Sequence, residues 1–439
     1  MRGPGVVGNL GARLVGEGGS AHLSRSVYSL MANTILTGAL GVAFWIVAAR
    51  LFSHDAVGRD SALISAMIAL SAACQLNLTN VFTRFLSHAM RPTRLIALGY
   101  AAAAGLSLLA GAAAVVILPD VSASLGFIGD DPRMAAVWVA SVSLWSVFAL
   151  QDAALTGLRQ APWVPLENAV FGVCKLALLI PFVVTGAANG VFLAWVLPMA
   201  ILLVPVNWIV FRRAIPAVAR YRKAPRVSVP ELFGRARLRR FLALDYVSSV
   251  FTQGIATSLP LIVVALLGTE QNAYYYVAFS VAVTLDLLSS NIATSLTVEG
   301  GFAGGRVPAA AGTAVRRFAI LLGGATLLVV VAAPLFLLPF GRSYADHASG
   351  ILRLLALATI PRGILFLYTA ICRTHGHGGR IAILRALQFV MVLTLTITLG
   401  AEFDLLGIGL GWLIANVAPA VVLLPSVIRH LRSPRAARA

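Results

Sequence analysis

Residues 212–226 are RRAIPAVARYRKAPR, and residues 235–240 are RARLRR. The two runs place ten Lys and Arg residues near the midpoint of a chain of 439 residues. Long apolar stretches lie on both sides of them. Short basic segments between apolar stretches are typical of loops that join membrane-spanning helices. We therefore predict that residues 212–240 link the two halves of a membrane protein.

The composition of the whole chain supports a membrane location. Apolar residues make up 59% of the sequence and charged residues only 11%, whereas soluble domains carry about 25% charged residues. Roughly 260 apolar residues supply about twelve segments of the ~20 residues that a hydrocarbon core requires. The formal charge of +18 does not indicate nucleic-acid binding, because the basic residues lie in short runs between apolar stretches.

Twelve apolar runs bounded by charge, Pro or Gly are predicted to span the membrane. The six before the linker are 27–49, 61–85, 95–118, 134–158, 164–185 and 191–211. The six after it are 244–267, 273–298, 318–340, 351–371, 381–399 and 405–428. The predicted fold is therefore an all-α integral membrane protein with twelve transmembrane helices in two six-helix bundles, residues 27–211 and 241–428. The tails are residues 1–26 and 429–439.

Basic residues are concentrated in alternate connections between these runs. One set of connections, which includes both termini, holds 25 Lys and Arg residues, and the other holds four. The second set also carries most of the loop acids, namely Asp55, Asp60, Asp120, Asp130, Asp131, Glu270, Asp346, Glu402 and Asp404. Because positively charged loops are retained in the cytoplasm, both termini are predicted to be cytoplasmic in a multi-pass protein of the plasma membrane.

The second half is predicted to repeat the first in the same orientation. Six spans return the chain to its starting side, so a parallel repeat is allowed. A shift of 215 residues places Asp55 on Glu270 and Ser65 on Ser280. The two bundles should then be related by a pseudo-two-fold axis.

Motifs that would indicate an enzyme or a metal centre are absent from the sequence. Neither of the two lysines, Lys175 and Lys223, completes the GxxxxGK loop of an ATPase. His375 and His377 lie in a Gly-rich connection without a third ligand nearby, and the three cysteines are far apart. The predicted external connections are also short for a membrane glycosyltransferase or ligase. We predict no enzyme activity, no cofactor and no metal site.

Ionisable residues inside the predicted spans are the candidate functional residues, because each costs about 2.5 to 3.5 kcal/mol at mid-depth unless it is paired or hydrated. Three lie near the middle of the membrane: Lys175, Asp286 and Arg362. Six lie nearer the ends of the spans: Arg84, Asp152, Glu167, Asp245, Arg353 and Arg385. The alternative interpretation is that these residues pair with one another and only hold helices together.

The sequence leaves the partners of these residues open. Lys175 needs either Asp152, on the preceding helix of the same hairpin, or a bound anion. Asp286 either binds a coupling proton or sodium ion or accepts hydrogen bonds from nearby hydroxyl groups. Arg84 ends the second span, where an arginine can extend to the lipid headgroups without any further role.

Four stretches resemble the polysaccharide flippases of the multidrug/oligosaccharidyl-lipid/polysaccharide exporter (MOP) superfamily. In the first half they are MANTILTGALGVAFWIVAARLFSHDAVGRDSALISAM (31–67), LNLTNVFTRFLSHA (76–89) and LQDAALTGLRQAPWVPLENAVFGVCKLALL (150–179). In the second half the resemblance rests mainly on SLPLIVVALLGTEQNAYYYVAFSVA (258–282). It implies a V-shaped pair of bundles, as in the MATE-like members of this superfamily, around a cavity that opens alternately to each side.

The resemblance also implies a substrate and residues that bind it. The expected substrate is an oligosaccharide linked to polyprenyl diphosphate, whose anionic headgroup meets basic residues of the cavity. Arg84 matches the basic residue that ends the second helix in such proteins, and Lys175 matches the basic position in the fifth. The predicted headgroup-binding set is Arg84, Lys175, Arg362, Arg385 and Asn77. The set predicted for ion coupling or charge pairing is Asp152, Glu167, Asp245 and Asp286.

The leading hypothesis is therefore a flippase that moves a lipid-linked oligosaccharide to the outer leaflet for surface polysaccharide synthesis. Its expected partners are the anionic glycolipid, membrane lipids, and a glycan polymerase or glycosyltransferases, without nucleic acid. The alternatives are a cation-coupled drug or metabolite exporter of the same fold and an integral-membrane enzyme of glycan assembly. Mid-helix cations that outweigh acids in a cavity would favour the anionic lipid, whereas an isolated Asp286 facing that cavity would favour cation coupling of a cationic drug.

Overall fold

The computed structural model describes residues 36–121, 123–220, 236–302, 311–374 and 377–432. The described part of the N-terminal half contains α1 (Leu36–Leu51), α2 (His54–Cys74), α3 (Leu78–Phe85), α4 (Pro92–Val121), α5 (Pro132–Gly157), α6 (Trp163–Val184) and α7 (Gly190–Ile209). The C-terminal half contains α8 (Ala236–Leu267), α9 (Thr269–Phe302), α10 (Ala311–Val331), α11 (Ala333–Leu337), α12 (Arg342–Thr374) and α13 (Gly378–Arg432). The predicted tail 1–26 and most of the predicted linker lie outside the described residues.

These helices confirm the all-α membrane fold. Within the described ranges, eight helices are long and apolar enough to cross a membrane: α2, α4, α5, α6, α7, α8, α12 and α13. Helix α13 has 55 residues and leaves the helical conformation at Phe403 and Asp404, so it supplies two spans. With α1, α9 and α10 added, and with the short helices α3 and α11 counted as parts of the second and ninth spans, the described helices match the twelve predicted spans.

The two arms of α13 form a hairpin that depends on small residues. Gly407 and Gly411, one helical turn apart on the second arm, lie against the backbone of the first arm. A Cβ atom at Gly411 would lie 2.7 Å from the carbonyl carbon of Leu395, and one at Gly407 would overlap the carbonyl oxygen of Leu399. Glycine therefore allows backbone-to-backbone packing, as small residues do in membrane helices generally.

The second span is broken, although the sequence predicts it as one continuous helix. Helix α2 ends at Cys74, and Leu76 and Asn77 have φ angles of 50° and 60° before α3 begins. The left-handed conformation costs a residue with a Cβ atom roughly 1–2 kcal/mol, so two in succession need support from elsewhere in the fold. That support comes from the second half of the chain, as described below.

The two ends of the molecule differ in charge, and we name them accordingly. The basic end carries Arg91, Arg94, Arg159, Arg373 and Arg380, which lie in connections or in the terminal turns of helices. The acidic end is the opposite one, where α2 and α9 begin. The sequence predicts that the basic end is cytoplasmic.

The two halves are in contact at the acidic end, through α2 and α9. The side-chain amide of Asn272 donates to the carbonyl oxygen of Gly58 at 2.7 Å and to Oγ of Ser61 at 3.0 Å, and Thr269 donates to Asp55. A Cβ atom on Gly58 would overlap the carbonyl oxygen of Thr269. Because Asp55 and Glu270 lie in the first turns of these two helices, the contact joins the elements that the shift of 215 residues relates.

Asp60 corrects one sequence-based assignment. The sequence places it among the loop acids, but the structure places it within α2 with no exposed surface. Its Oδ2 accepts hydrogen bonds from the backbone N–H groups of Val191 and Phe192, both at 3.0 Å. Nε of Arg59 lies 3.7 Å from its Oδ1. A carboxylate at this place stabilises the otherwise unpaired N–H groups at the start of α7.

We expect Asp60→Ala to lower the stability of the protein by about 2 to 3 kcal/mol, because two buried N–H groups would lose their acceptor. Thermal unfolding of the purified protein in detergent measures the effect. Asp130→Ala, at an exposed loop position of the same end, is the matched control and should unfold at the wild-type temperature. Equal melting temperatures for the two variants would contradict the role given to Asp60.

Candidate functional site

A partly buried ion pair joins α12 and α9 inside the C-terminal half. Nε of Arg362 lies 3.0 Å from Oδ1 of Asp286, and the two side chains are 16% and 14% exposed. The guanidinium carbon of Arg362 lies 4.7 Å from the ring centre of Trp412, on the second arm of α13. Asp286 is therefore neutralised by an arginine rather than isolated.

A second arginine of this half is held by neutral groups. Arg385, on the first arm of α13, is only 7% exposed. Its Nη1 donates to Oε1 of Gln388 at 2.8 Å, and its Nη2 makes a longer contact of 3.5 Å with Oγ1 of Thr369. Gln388 in turn donates to Oδ1 of Asn416 at 2.7 Å. The ion pairs within the described residues are Arg59–Asp60 and Arg362–Asp286, so the charge of Arg385 is not offset by a carboxylate there.

Arg362 and Arg385 line the same small cavity, together with Thr252 and Phe366. Its volume is about 30 Å³, enough for one or two water molecules. Two arginines and one aspartate give this interior a net positive charge. A sugar or a diphosphate is too large for it in this conformation, so a large anion reaches the arginines only after the helices move apart.

Lys175 lies in an aromatic cage inside the N-terminal half. Its Nζ is 3.6 Å from the ring centre of Trp195 and 5.0 Å from those of Phe44 and Phe171, and the residue is 4% exposed. Cation–π contacts at a desolvated site stabilise a cation by about 2 kcal/mol. Placing a cation at mid-membrane costs about 2.5 to 3.5 kcal/mol. The cage therefore offsets most of the cost of burial without a counter-ion.

The candidate partner Asp152 does not pair with Lys175. Oδ2 of Asp152 instead accepts a hydrogen bond of 3.1 Å from the side-chain amide of Asn168. Glu167 is 6% exposed, and neither of its carboxylate oxygens has a hydrogen-bond partner in the structure. The two acids and Tyr100 lie close together between α4, α5 and α6. They form a second group of ionisable residues in this half, in addition to Lys175 in its aromatic cage.

Asn77 and Asp245 form a contact between the two halves near the basic end. Oδ2 of Asp245, on α8, accepts hydrogen bonds from the side-chain amides of Asn77 at 3.0 Å and Asn80 at 2.6 Å. The hydroxyl group of Tyr246 donates to the carbonyl oxygen of Ala73 at 2.6 Å beside it. We call this set the basic-end latch. It explains why the break in the second span is tolerated, since Asp245 binds the two amides that the break presents.

The structure thus separates the predicted site residues into groups. Arg362, Arg385 and Asp286 are together in the C-terminal half, whereas Lys175 is enclosed in the N-terminal half. The contacts of both Lys175 and Arg362 are with residues of their own half. The side chain of Arg84 and residue His375 lie outside the described part of the chain. Among the described residues there is no cluster of His, Cys, Asp or Glu that could hold a metal ion.

Several residues that shape these sites were not predicted from the sequence. Trp195 and Phe44 belong to ordinary apolar runs, and nothing in their spacing links them to Lys175. Gln388 and Asn416 are polar residues within predicted spans. Because polar residues are rare there, their presence was a signal that could have identified them. Asn80 lies three residues after Asn77, so the pair of amides on one helix face could have been noticed.

No protein-family model matches the sequence, and no curated protein matches it either. Solved structures do match the fold. The inward-facing conformation of a multidrug resistance MATE family transporter of the MOP superfamily aligns over 94% of this chain and 100% of its own, with 14% identity and a TM-score of 0.64. The outward-facing conformation of such a transporter aligns over 94% and 96%, with 16% identity and a TM-score of 0.60.

A third similar structure is a MOP superfamily transporter from Pyrococcus furiosus, for which the reverse polarity of the binding pocket is said to suggest a different function. It aligns over 94% of this chain and 96% of its own, with 16% identity and a TM-score of 0.62. These alignments cover nearly the whole of each chain, and the proteins concerned are transporters. The chain therefore has the fold of the MATE transporters of the MOP superfamily.

Proposed function

We propose that this protein is an alternating-access transporter that moves an anionic lipid-linked oligosaccharide, of the polyprenyl-diphosphate type, from the inner to the outer leaflet. The observation that carries the proposal is the net positive charge around the C-terminal cavity, where Arg362 and Arg385 face a single acid, Asp286. Lys175 and Arg385 have no carboxylate partner among the described residues, and Asp286 is neutralised by Arg362. Cations without a carboxylate partner in a membrane interior are functional candidates by default, and a phosphate-bearing headgroup would supply the missing negative charge.

The geometry of the arginines suits a diphosphate. A guanidinium group forms two parallel hydrogen bonds with phosphate oxygens, which gives both orientation and affinity. Arg362 and Arg385 line one cavity on adjacent helical elements, so one diphosphate can contact both after the cavity enlarges. The similar transporter from Pyrococcus furiosus, with its pocket of reverse polarity, supports a departure from drug transport within this fold.

The contacts between the halves suit a cycle of two gates. One gate is the contact of Gly58 and Asn272 at the acidic end, and the other is the basic-end latch around Asp245. Opening either one alone would expose the interior to one side. An anion that moves outward under an inside-negative potential gains about 2.3 kcal/mol per charge per 100 mV. The potential could therefore drive release of the headgroup outside.

A second candidate function is a cation-coupled exporter of drugs or metabolites. The specific observation that favours it is the pair Asp152 and Glu167, buried acids with oxygens that lack hydrogen-bond partners. Such acids can hold a coupling proton or cation. The neutralised Asp286 argues against a negatively charged pocket in the C-terminal half, which is why this candidate ranks second.

We expect Arg385→Gln and Lys175→Gln to reduce flipping at least tenfold, because each removes a charge-assisted contact worth about 1.5 to 3 kcal/mol. The assay uses proteoliposomes that contain a polyprenyl-diphosphate-linked oligosaccharide with a fluorophore on the sugar. Dithionite added outside measures how fast the labelled sugars reach the outer leaflet. Arg353→Gln, an exposed arginine of α12, is the control and should flip at the wild-type rate. Wild-type flipping by both test variants, with all proteins equally folded, would refute the proposed site.

The two candidate functions differ in their response to loss of the acids. We expect everted vesicles of cells that produce the protein to accumulate no ethidium above the vesicle background. We also expect Glu167→Gln to retain most of the flipping activity, because the acids are not part of the headgroup site. Proton-driven ethidium transport that is lost in Glu167→Gln and kept in Arg385→Gln would identify the exporter instead.

A further inference from the structure

A groove lies on the outer surface of the C-terminal half. It is separate from the small cavity lined by Arg362 and Arg385, which we call the basic cavity. The first arm of α13 lies between the two. Arg385 and Gln388 face the cavity on one side of it, whereas Ile383 and Leu387 line the groove on the other. The groove has a volume of about 500 Å³. It is formed by the two arms of α13 and the end of α12.

The walls of the groove are apolar and open to the membrane. Ile383, Leu387 and Val422 are 71%, 53% and 76% exposed in the protein alone. Leu384 and Ala420 are buried in the small core cluster beneath them. The side chains at Ala418 and Pro419 are compact, which leaves room above the second arm. An apolar depression on a membrane-facing surface is filled by hydrocarbon, so the occupant has at least one apolar chain.

The length of the groove matches a single leaflet. It extends along the first arm of α13 from Arg380 to Met391, which corresponds to ~16 Å at a rise of 1.5 Å per residue. Half of a hydrocarbon core of ~30 Å is about the same length. Arg380 lies at the basic end, so the groove occupies the leaflet that the sequence predicts to be cytoplasmic.

The mouth of the groove is positively charged. Arg380 and Tyr368 are the polar residues among its lining, and both lie at the basic end. Arg380 is exposed and takes part in neither of the ion pairs found among the described residues. Basic sites between transmembrane helices on the cytoplasmic side are typical binding sites for anionic lipid headgroups.

We propose that this groove binds one anionic phospholipid of the cytoplasmic leaflet, with its phosphate on Arg380 and one acyl chain along Leu387 toward Met391. The transported lipid is a poorer occupant, because a headgroup in the basic cavity would lie on the opposite side of the first arm of α13. The inference does not depend on the proposed function, since it concerns a different face of the helix.

The test is lipid binding to the purified full-length protein, measured by native mass spectrometry in detergent. The probes are phosphatidylglycerol and phosphatidylcholine with identical acyl chains. We expect phosphatidylglycerol to bind one site about fivefold more tightly, the difference that a single cation near the headgroup supplies. Arg380→Gln should remove this preference and Arg380→Lys should keep most of it. Ala418→Phe, which fills the groove, should weaken both lipids.

Matched controls lie on the surface of α4, where Arg94 and Ala102 are exposed. Arg94→Gln and Ala102→Phe should bind both lipids as the wild type does. Equal binding of the two lipids by the wild type, or a preference that survives Arg380→Gln, would overturn the proposal. The proposal would also be overturned if added polyprenyl phosphate displaced the bound phosphatidylglycerol at a lower concentration than added phosphatidylglycerol does. The groove would then hold the tail of the transported lipid.

Discussion

The backbones of α2 and α9 meet at Gly58, and this close contact fixes how the two halves approach each other at the acidic end. Because Gly58 has no Cβ atom, the backbone of α2 reaches the carbonyl oxygen of Thr269 directly, and Asn272 fixes the approach with two hydrogen bonds. The first turns of the two helices are the positions that the internal shift of 215 residues superimposes. Opening of this contact would let the two halves move apart at the acidic end, which is the movement that the proposed transport cycle requires there.

The distribution of charge gives the interior its chemical character. Each half encloses a cation without a carboxylate partner among the described residues, but the two are accommodated differently. Lys175 depends on three aromatic rings from α1, α6 and α7, whereas Arg385 depends on a chain of neutral amides that ends at Asn416. Neither arrangement offsets the charge with a carboxylate. An anionic headgroup would therefore gain from both cations, while a cationic drug would be repelled by both.

Much of the fold could be predicted from the sequence because membrane insertion leaves a strong local signal. The apolar runs depend on residues close together in the chain, and the helices within the described residues match them. The break at Asn77 depends instead on Asp245, 168 residues away, and no local pattern reports such a partner. Asp60 was assigned to a loop for the same reason, since its burial depends on the start of α7. The pairing of Lys175 with Asp152 failed because helical spacing gives neighbours within a helix but not the rotation of adjacent helices.

The opening of the contact between α2 and α9 is the step on which the proposed transport cycle depends. Its most direct test is a reversible cross-link between Ser61 and Asn272, whose side chains are joined by a hydrogen bond of 3.0 Å. Cysteines would be introduced at both positions after replacement of Cys74, Cys174 and Cys372, and flipping of a fluorescent polyprenyl-diphosphate-linked oligosaccharide would be measured in proteoliposomes. We expect oxidation to the disulfide to reduce flipping to the protein-free background and a reductant to restore it. Flipping at an unchanged rate by the fully cross-linked protein would contradict it.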